Sequence, residues 1–319
     1  MAGSEGNDLR GVRVGLADVR RLEDTVARLR AQDYRYGGGA CWEAVEAQLP
    51  RAVELLNGTV RRAVFPRLCT AVADLYNLAG WTSFDEDRPT AALEAFARAL
   101  RLAVEAGNHD LQANIRYRAG RLLLHYDAVD PALTEFARGR EAARLASSKL
   151  AQSILSANQA WAHAKKGDVA AALTCLRRAR TEFADAQGTE PSPWAAFFGP
   201  TDLSAMAGTV HAELAQVVDV RHGRDGIPAL AGAIAGYGPD MARSRSLTAI
   251  WLATVHALEG DLDIALEVGR DAIEVAGALR SPRTRQRLRT LSAAARRYPR
   301  DARARQIVER VETVGHSGQ

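Results

Sequence analysis

Asparagine, arginine and tryptophan side chains recur along the middle of the chain, and together they could bind an extended peptide. Asn114 and Asn158 can each donate a hydrogen bond to a peptide carbonyl and accept one from a peptide N–H. Arg118 and Arg121 could hold a carboxylate through two parallel hydrogen bonds. Trp161 adds flat apolar area. This set of residue types predicts a surface that binds a peptide or a small molecule.

The residue types that carry catalysis are present but not grouped. Seven histidines are scattered, without an HExxH motif or a Cys/His cluster. Cys41, Cys69 and Cys175 are widely spaced within apolar helical patterns, which is typical of buried free thiols. Asp85 and Asp87 fall in a predicted turn, where solvated carboxylates are common. We therefore predict no catalytic residue, no metal site, no cofactor and no enzyme activity.

The elements that position these side chains follow a repeated pattern. Gly80, Ala92, Phe96 and Ala99 stand at offsets of 0, 12, 16 and 19. The same offsets recur in three further segments: Gly120, Ala132, Phe136 and Gly139; Ala160, Ala172, Leu176 and Ala179; Ala253, Ala265, Gly269 and Ala272. These offsets and residue types resemble the tetratricopeptide signature, in which small residues let two helices approach and a bulky one fills the gap between hairpins.

The repeats predict an all-α fold, a right-handed tetratricopeptide-like solenoid of helical hairpins. A solenoid accommodates 319 residues because each repeat buries its apolar face only against its neighbours. We expect a flexible N-terminus at residues 1–13, a single solenoid over 14–314 and a flexible tail at 315–319. An irregular segment near 187–200, rich in proline and aromatic residues, either folds back onto the solenoid or acts as a lid over a groove.

Periodicity and chain-breaking residues also predict the helices outside the matched repeats. We expect a first helix over 16–31, which the glycines at 37–39 follow. Pro66 either kinks the helix predicted over 59–83 or lies in its first turn. The remaining predicted helical segments are 41–57, 201–220, 226–236, a pair over 241–279, and a final pair that opens at 281 and is broken at 298–299.

In tetratricopeptide repeats the first helix of each hairpin lines the concave face, so the resemblance also predicts which side chains face a groove. The residues at those positions that could bind a ligand are Asp74, Asn77, Trp81, Asn114, Tyr117, Arg118, Arg121, Asn158, Trp161 and Lys165. The alternative is structural: the aromatic rings pack between repeats, and the asparagines cap or bridge helices.

Several segments are similar to the tetratricopeptide regions of actinobacterial regulatory proteins. They are VGLADVRRLEDTVARLRAQDYRYGGG, LYNLAGWTSFD, AFARALRLAVEAGN and GALRSPRTRQRLRTL, and the resemblance spans about residues 13–310. In that family the region usually follows a helix-turn-helix domain, whereas only about 13 residues precede it in this chain. The resemblance implies a stand-alone sensor or adaptor in transcription or secondary metabolism, or a chain from which the DNA-binding part was removed. In related quorum-sensing receptors of Gram-positive bacteria, concave asparagines hold signalling peptides.

Charge and hydropathy bear on partners and location. The net charge of +4 is too small to indicate a nucleic-acid partner, although residues 278–310 hold eleven arginines and two acids. We interpret that basic stretch as a solvated segment that caps the end of the solenoid. If these arginines instead bind nucleic acid, the protein is a nucleic-acid-associated regulator, which is one alternative function. The other alternative is a protein-interaction scaffold without a small ligand. Without a signal peptide or a membrane-length apolar run, we expect a cytoplasmic protein with no membrane partner, in which a homodimer is compatible with the sequence.

Overall fold

The computed structural model describes residues 13–36, 41–238, 241–278 and 282–316, and nearly all of them are helical. The chain divides into two compact units, Met1–Leu111 and Gln112–Gln319. No helix in the described ranges is both long and apolar enough to cross a membrane. Each unit is built from antiparallel helices, as the all-α prediction requires.

The first unit combines one short strand pair with helices. Its elements are β1 (Arg13–Val14), α1 (Leu16–Tyr36), α2 (Trp42–Glu46), α3 (Leu49–Asn57), β2 (Thr59–Val60), α4 (Phe65–Asp85) and α5 (Pro89–Glu105). The two strands pair in parallel, with Arg13 opposite Thr59 and Val14 opposite Val60. Helices α4 and α5 form the tightest hairpin of this unit, and α1, α2 and α3 pack against α4.

The described part of the second unit consists mainly of helices. They are α6 (His109–His125), which begins just before the unit boundary, α7 (Val129–Leu145), α8 (Lys149–Lys165), α9 (Val169–Asp185), α10 (Pro200–Val217), α11 (Gly223–Gly236), α12 (Ala242–Glu259), α13 (Leu262–Ala278), α14 (Pro282–Ala295) and α15 (Ala302–His316). A 3-10 turn, Val220–His222, joins α10 to α11.

Consecutive helices in the second unit pack as hairpins, and the first helices of successive hairpins pack on one another. Helix α8 pairs with α9, α10 with α11 and α12 with α13, while α10 contacts α8 and α12, and α12 contacts α14. We call α6, α8, α10, α12 and α14 the first-helix layer. The arrangement is an all-α, solenoid-like array of helical hairpins, so the predicted fold class is confirmed. A single solenoid over 14–314 stays a prediction.

The small residues of the repeat pattern lie where one helix meets a bulky side chain of the next. A Cβ atom on Gly80 would lie 2.6 Å from Cε1 of Phe96, and one on Gly120 would lie 2.6 Å from Cδ1 of Phe136. The irregular α10–α11 hairpin uses the same contact with a different spacing. There, a Cβ atom on Gly208 would lie 2.5 Å from Cγ of Leu230.

Each matched hairpin reverses through one residue with a left-handed backbone. This residue lies seven positions after the small residue of the first helix, at Asp87, Asp127, Gly167 and Gly260, with φ of 58°, 57°, 74° and 89°. A residue with a left-handed backbone turns the chain away from the first helix, so that the N–H groups that follow can donate to the last carbonyls of that helix. The repeat frame therefore extends into the turns.

Several predicted boundaries are wrong, for identifiable reasons. The helix predicted over 41–57 is divided into α2 and α3, because Pro50 has no N–H to continue α2 and instead lies in the first turn of α3. The segment predicted as helical from residue 59 begins with β2, and α4 starts at Phe65 with Pro66 in its first turn. The first helix extends to Tyr36. The glycines at 37–39 and most of both predicted flexible ends lie outside the described residues, but Arg13 is part of β1.

The irregular segment near 187–200 folds back onto the second unit through its aromatic residues. Trp194 and Phe198 are buried, and the Trp194 ring stacks on Tyr117 at a centroid distance of 5.9 Å. Phe198 makes an edge contact with Phe183 at 6.1 Å. Phe197 remains 39% exposed. These contacts explain the apolar composition of the segment, and its role as a lid stays a prediction.

The close approach at Gly120 predicts the effect of adding one methyl group. Gly120→Ala should lower the free energy of unfolding by about 1–2 kcal/mol, because the clash with Phe136 outweighs the gain in helix propensity. Urea denaturation measures this change, and Phe136→Leu in the same chain should restore part of the loss.

Gly232 is the matched control, because a Cβ atom there meets nothing within 4 Å in the middle of α11. Gly232→Ala should leave the protein equally stable or up to about 1 kcal/mol more stable. Equal effects of the two substitutions would contradict the packing role of Gly120.

Candidate ligand-binding site

Three of the predicted site residues lie on α4 in the first unit, where they contact neighbouring side chains. Asp74 forms an ion pair with Arg30 of α1. Asn77 is fully buried, and Trp81 meets the ring of Phe84 edge-on at a centroid distance of 5.7 Å. Asp74 therefore ties α1 to α4, and the other two residues pack within the unit.

The other seven predicted residues lie on α6 and α8 in the second unit. On α6, Asn114 and Arg118 are buried. Tyr117 is also buried and lies against Trp194 and Phe197 of the irregular segment. The Tyr117 ring is thus largely covered by the chain itself.

Two predicted residues of α8 are held by polar contacts within the unit. The Asn158 side-chain amide donates to the carbonyl of Ile154 at 2.7 Å, and its Oδ1 accepts from Nη1 of Arg121 at 3.4 Å. Lys165 Nζ lies 2.7 Å from Oδ1 of Asp127 in the hairpin turn. Asn158 therefore connects α8 to α6, and Lys165 connects α8 to a hairpin turn. The contact of Asn158 is of the kind expected if the asparagines bridge helices.

Trp161 lies at the centre of a group of polar and aromatic side chains in the first-helix layer. Its Nε1 donates to Oε2 of Glu213 on α10 at 2.8 Å. The Arg121 guanidinium carbon lies 5.0 Å from the Trp161 ring centroid. That of Arg287 on α14 lies 4.5 Å from Trp161 and 4.4 Å from the centroid of Trp251 on α12. We call the residues that this layer brings together the central cluster: Arg121, Asn158, Trp161, Glu213, Trp251 and Arg287.

Charge in the central cluster is unbalanced around Arg287. Burial lowers the pKa of Arg287 well below its usual range, Glu213 raises that pKa in part, and Arg121 lowers it further. A guanidinium is so basic that it stays charged at neutral pH even after such a shift. Arg287 makes two ring contacts but donates no hydrogen bond within the part of the chain that the structure describes. The arrangement can attract an acceptor or an anion.

The prediction missed Glu213 and Arg287, for different reasons. Glu213 lies five positions after Gly208, just as the predicted site residue Lys165 lies five positions after Ala160. Recognising Gly208 as a repeat position would therefore have predicted Glu213 as a site residue. Arg287 lies 126 residues beyond Trp161 on a helix without a matched repeat. No local signal indicates that contact.

A second polar network lies between the helices of the α7–α9 region and contains no predicted site residue. Glu182 is buried, pairs with Arg140 and accepts from Oγ of Ser156 at 2.5 Å. Ser153 Oγ donates to the Ala179 carbonyl at 2.8 Å. The same hydroxyl-to-carbonyl bond, across the same 26 residues, recurs from Ser246 to Ala272 at 3.0 Å. These groups hold α8 to α9 and α12 to α13, and Arg140 links α7 to α9.

The histidines and cysteines have structural surroundings. His256, Glu259 and Asp261 offer ligand atoms within 4.8 Å of one another. The His256–Asp261 pair recurs as His163–Asp168 at the same repeat position, with a lysine in place of Glu259, so we interpret it as a feature of the hairpin turn. The three cysteines are buried free thiols, and burial raises the pKa of Cys41 and of Cys69 to about 11.

Comparisons with known proteins add little to these observations. No protein-family model matches the chain, and no curated protein does. Among solved structures, one similar chain is described as a circular tandem repeat protein with novel repeat topology and enhanced subunit contact surfaces. It is 14% identical, with 93% of this chain and 82% of that chain covered, at a TM-score of 0.29. A likeness at that TM-score supports no conclusion about family or function.

The central cluster predicts a strong dependence on Glu213. Glu213→Gln keeps an acceptor for Trp161 but removes the carboxylate that acts on Arg287, so we expect a loss of about 3 kcal/mol in the free energy of unfolding. Urea denaturation of Glu213→Gln, Arg287→Met and the double variant measures the coupling, and the double variant should recover part of the loss. As a control, Glu141→Gln removes an exposed ion pair with Arg144 and should have no measurable effect. Equal behaviour of the two glutamates would contradict the charge balance described here.

Burial of His211 predicts a pH dependence of stability. Burial lowers the pKa of His211 below its usual 6.5, although Asp225 opposes the shift. Above the ordinary pKa neither the folded nor the unfolded chain binds this proton. As the pH falls below it, the unfolded chain takes up a proton that the folded chain resists, so stability should decrease between pH 7 and pH 5. Urea denaturation should show a smaller decrease in His211→Gln than in the His222→Gln control, and identical decreases would contradict this role.

Proposed function

We propose that the protein is a non-enzymatic regulatory or sensor protein whose first-helix layer in the second unit binds a peptide, a small molecule or a segment of a protein. The observation that carries this proposal is the central cluster. Burying charged groups costs more free energy than packing apolar side chains of similar volume. A layer selected for stability alone would therefore be apolar, and departures of this kind concentrate at functional sites.

The connectivity of the cluster supports a sensing role. Its side chains come from α6, α8, α10, α12 and α14, which belong to five successive hairpins. A ligand that takes over a contact of Arg121 or Arg287 would change the packing between these hairpins. Such a ligand would favour one arrangement of the array over another and so alter its affinity for a partner.

The resemblance to actinobacterial regulators supports a place for this activity in transcription or secondary metabolism, in the cytoplasm. The same resemblance favours a peptide or a regulatory protein segment as the ligand. The C-terminal arginines favour a nucleic-acid partner less, because several are paired internally. Arg296 lies 2.6 Å from Glu312, Arg303 pairs with Asp301 and Asp263, and Arg287 lies between two tryptophan rings.

A second candidate function is a scaffold that docks proteins without a small ligand. Val217, Val218 and Val220 follow one another at the end of α10 and are 47%, 48% and 36% exposed. Adjacent exposed valines are typical of protein-interaction surfaces. In this case the docking surface lies at the hairpin turns and the central cluster is structural.

Native mass spectrometry of the full chain, purified gently from an actinobacterial extract, tests these candidates. We expect an added mass on the wild-type protein that is lost in Arg121→Gln, because Arg121 is a half-buried member of the cluster. The mass should persist in Arg144→Gln, a matched loss of one arginine on an exposed face of α7, and in Val218→Asp.

The opposite pattern identifies the scaffold. A bound protein lost in Val218→Asp and retained in Arg121→Gln would replace the ligand-binding proposal with the docking one. A bare mass for every variant would contradict a tightly held ligand.

A further inference from the structure

We infer that the central cluster is a carboxylate-binding site in which Arg287 is the principal donor. This inference rests on the proposed function and names the chemical class of its ligand. It follows from the contacts of Arg287, from the charges around it and from the way α14 is held.

The surroundings of Arg287 provide aromatic faces but no hydrogen-bond acceptor. Its guanidinium carbon lies 4.5 Å and 4.4 Å from the ring centroids of Trp161 and Trp251. Cation–π contacts attract the charge but offer the N–H groups no lone pair. Among the described residues, none accepts a hydrogen bond from this guanidinium, which has five N–H donors. Arg287 is half-buried and solvent reaches its donors, so a ligand acceptor can take the place of that water.

The charges around Arg287 specify the sign of the missing group. Glu213 is the carboxylate that acts on Arg287, and its Oε2 already accepts from Trp161. Arg121 also lies against the Trp161 ring and repels Arg287. Two cations therefore lie against the Trp161 ring, and a negative charge beside Arg287 would reduce their repulsion. An amine or a metal cation would add to the repulsion.

A carboxylate matches the donors of Arg287 in shape and charge. A guanidinium presents its donors in a planar fork that matches the two oxygens of a carboxylate. A phosphate can also accept from that fork, but it carries more negative charge, and removing that charge from water beside two tryptophan rings costs more free energy.

Arg287 is also positioned before any ligand binds. Gln286 Nε2 donates to the backbone carbonyl of His125 at 2.7 Å, which fixes α14 beside α6. Arg287 itself stays half-buried, with part of its surface accessible. A donor held in place in this way loses little further freedom on binding.

The carboxylate could belong to a peptide, at its C-terminus, or to a free organic acid, and the test distinguishes the two. Spectra of the indole N–H groups of the full-length protein report on the cluster, because the chain has five tryptophans. Trp161→Phe and Trp251→Phe assign the two signals that flank Arg287. The probes are succinate, a penta-alanine peptide with a free C-terminal carboxylate, the same peptide with a C-terminal amide, and inorganic phosphate.

We expect at least one carboxylate probe to shift the Trp161 and Trp251 signals saturably, while the amidated peptide does not. Arg287→Gln should weaken that binding at least tenfold, and Arg144→Gln should not. Arg287→Lys keeps the charge without the planar fork and should bind several-fold more weakly, which preserves the test if Arg287→Gln does not fold. A response to the free peptide alone indicates a peptide terminus, and a response to succinate alone indicates a small acid.

Four results would overturn the inference: no saturable shift with either carboxylate, equal binding of the acid and amide peptides, a response to phosphate alone, or unchanged binding in Arg287→Lys. If native mass spectrometry shows a ligand that depends on Arg121 while the carboxylates give no shift, the proposed function stands and this inference fails. If the carboxylates bind and no ligand or partner is found in the extract, the site chemistry stands and the proposed function fails.

Discussion

Close contact between a small residue of one helix and a bulky residue of the next is the interaction on which the rest of the structure depends. At Gly80 and Gly120 a phenylalanine ring lies directly against the helix backbone, and at Gly208 a leucine does so. Because no Cβ atom intervenes, two helices can pack closely enough to exclude water along their length. These three hairpins are built around such a contact, and each presents an apolar face to its neighbour.

Polar groups reinforce this packing at repeated positions. The left-handed residue seven positions after the small residue reverses the chain, and the hydroxyls of Ser153 and Ser246 hold equivalent carbonyls on the second helices. Glu182, Arg140 and Ser156 link three helices in the same way. Most polar atoms of these groups find a partner within the network, which lowers the cost of burying them.

The central cluster differs from those networks because Arg287 donates no hydrogen bond to a described residue. Arg121 and Arg287 flank Trp161, while Glu213 is the carboxylate that acts on Arg287 and is also bound to the indole of Trp161. The stability of the surrounding hairpins offsets the cost of holding the two guanidinium groups together. A scaffold of this kind can therefore maintain a site that is completed by a ligand, and five successive helices of the first-helix layer can respond to its binding.

Sequence by itself determined the all-α hairpin frame, the position of the turns and the placement of Arg121, Asn158 and Trp161 in one layer, because these follow from periodicity within about forty residues. It did not determine the division of α2 from α3 or the strand pair, which depend on local breaks and long-range pairing. Tertiary structure alone decided which groups these side chains meet. Asn158 is satisfied within the unit, Tyr117 is covered by Trp194, and Arg287 reaches Trp161 across 126 residues of chain. Periodicity specifies the face on which a side chain lies, but its partner depends on how distant helices pack.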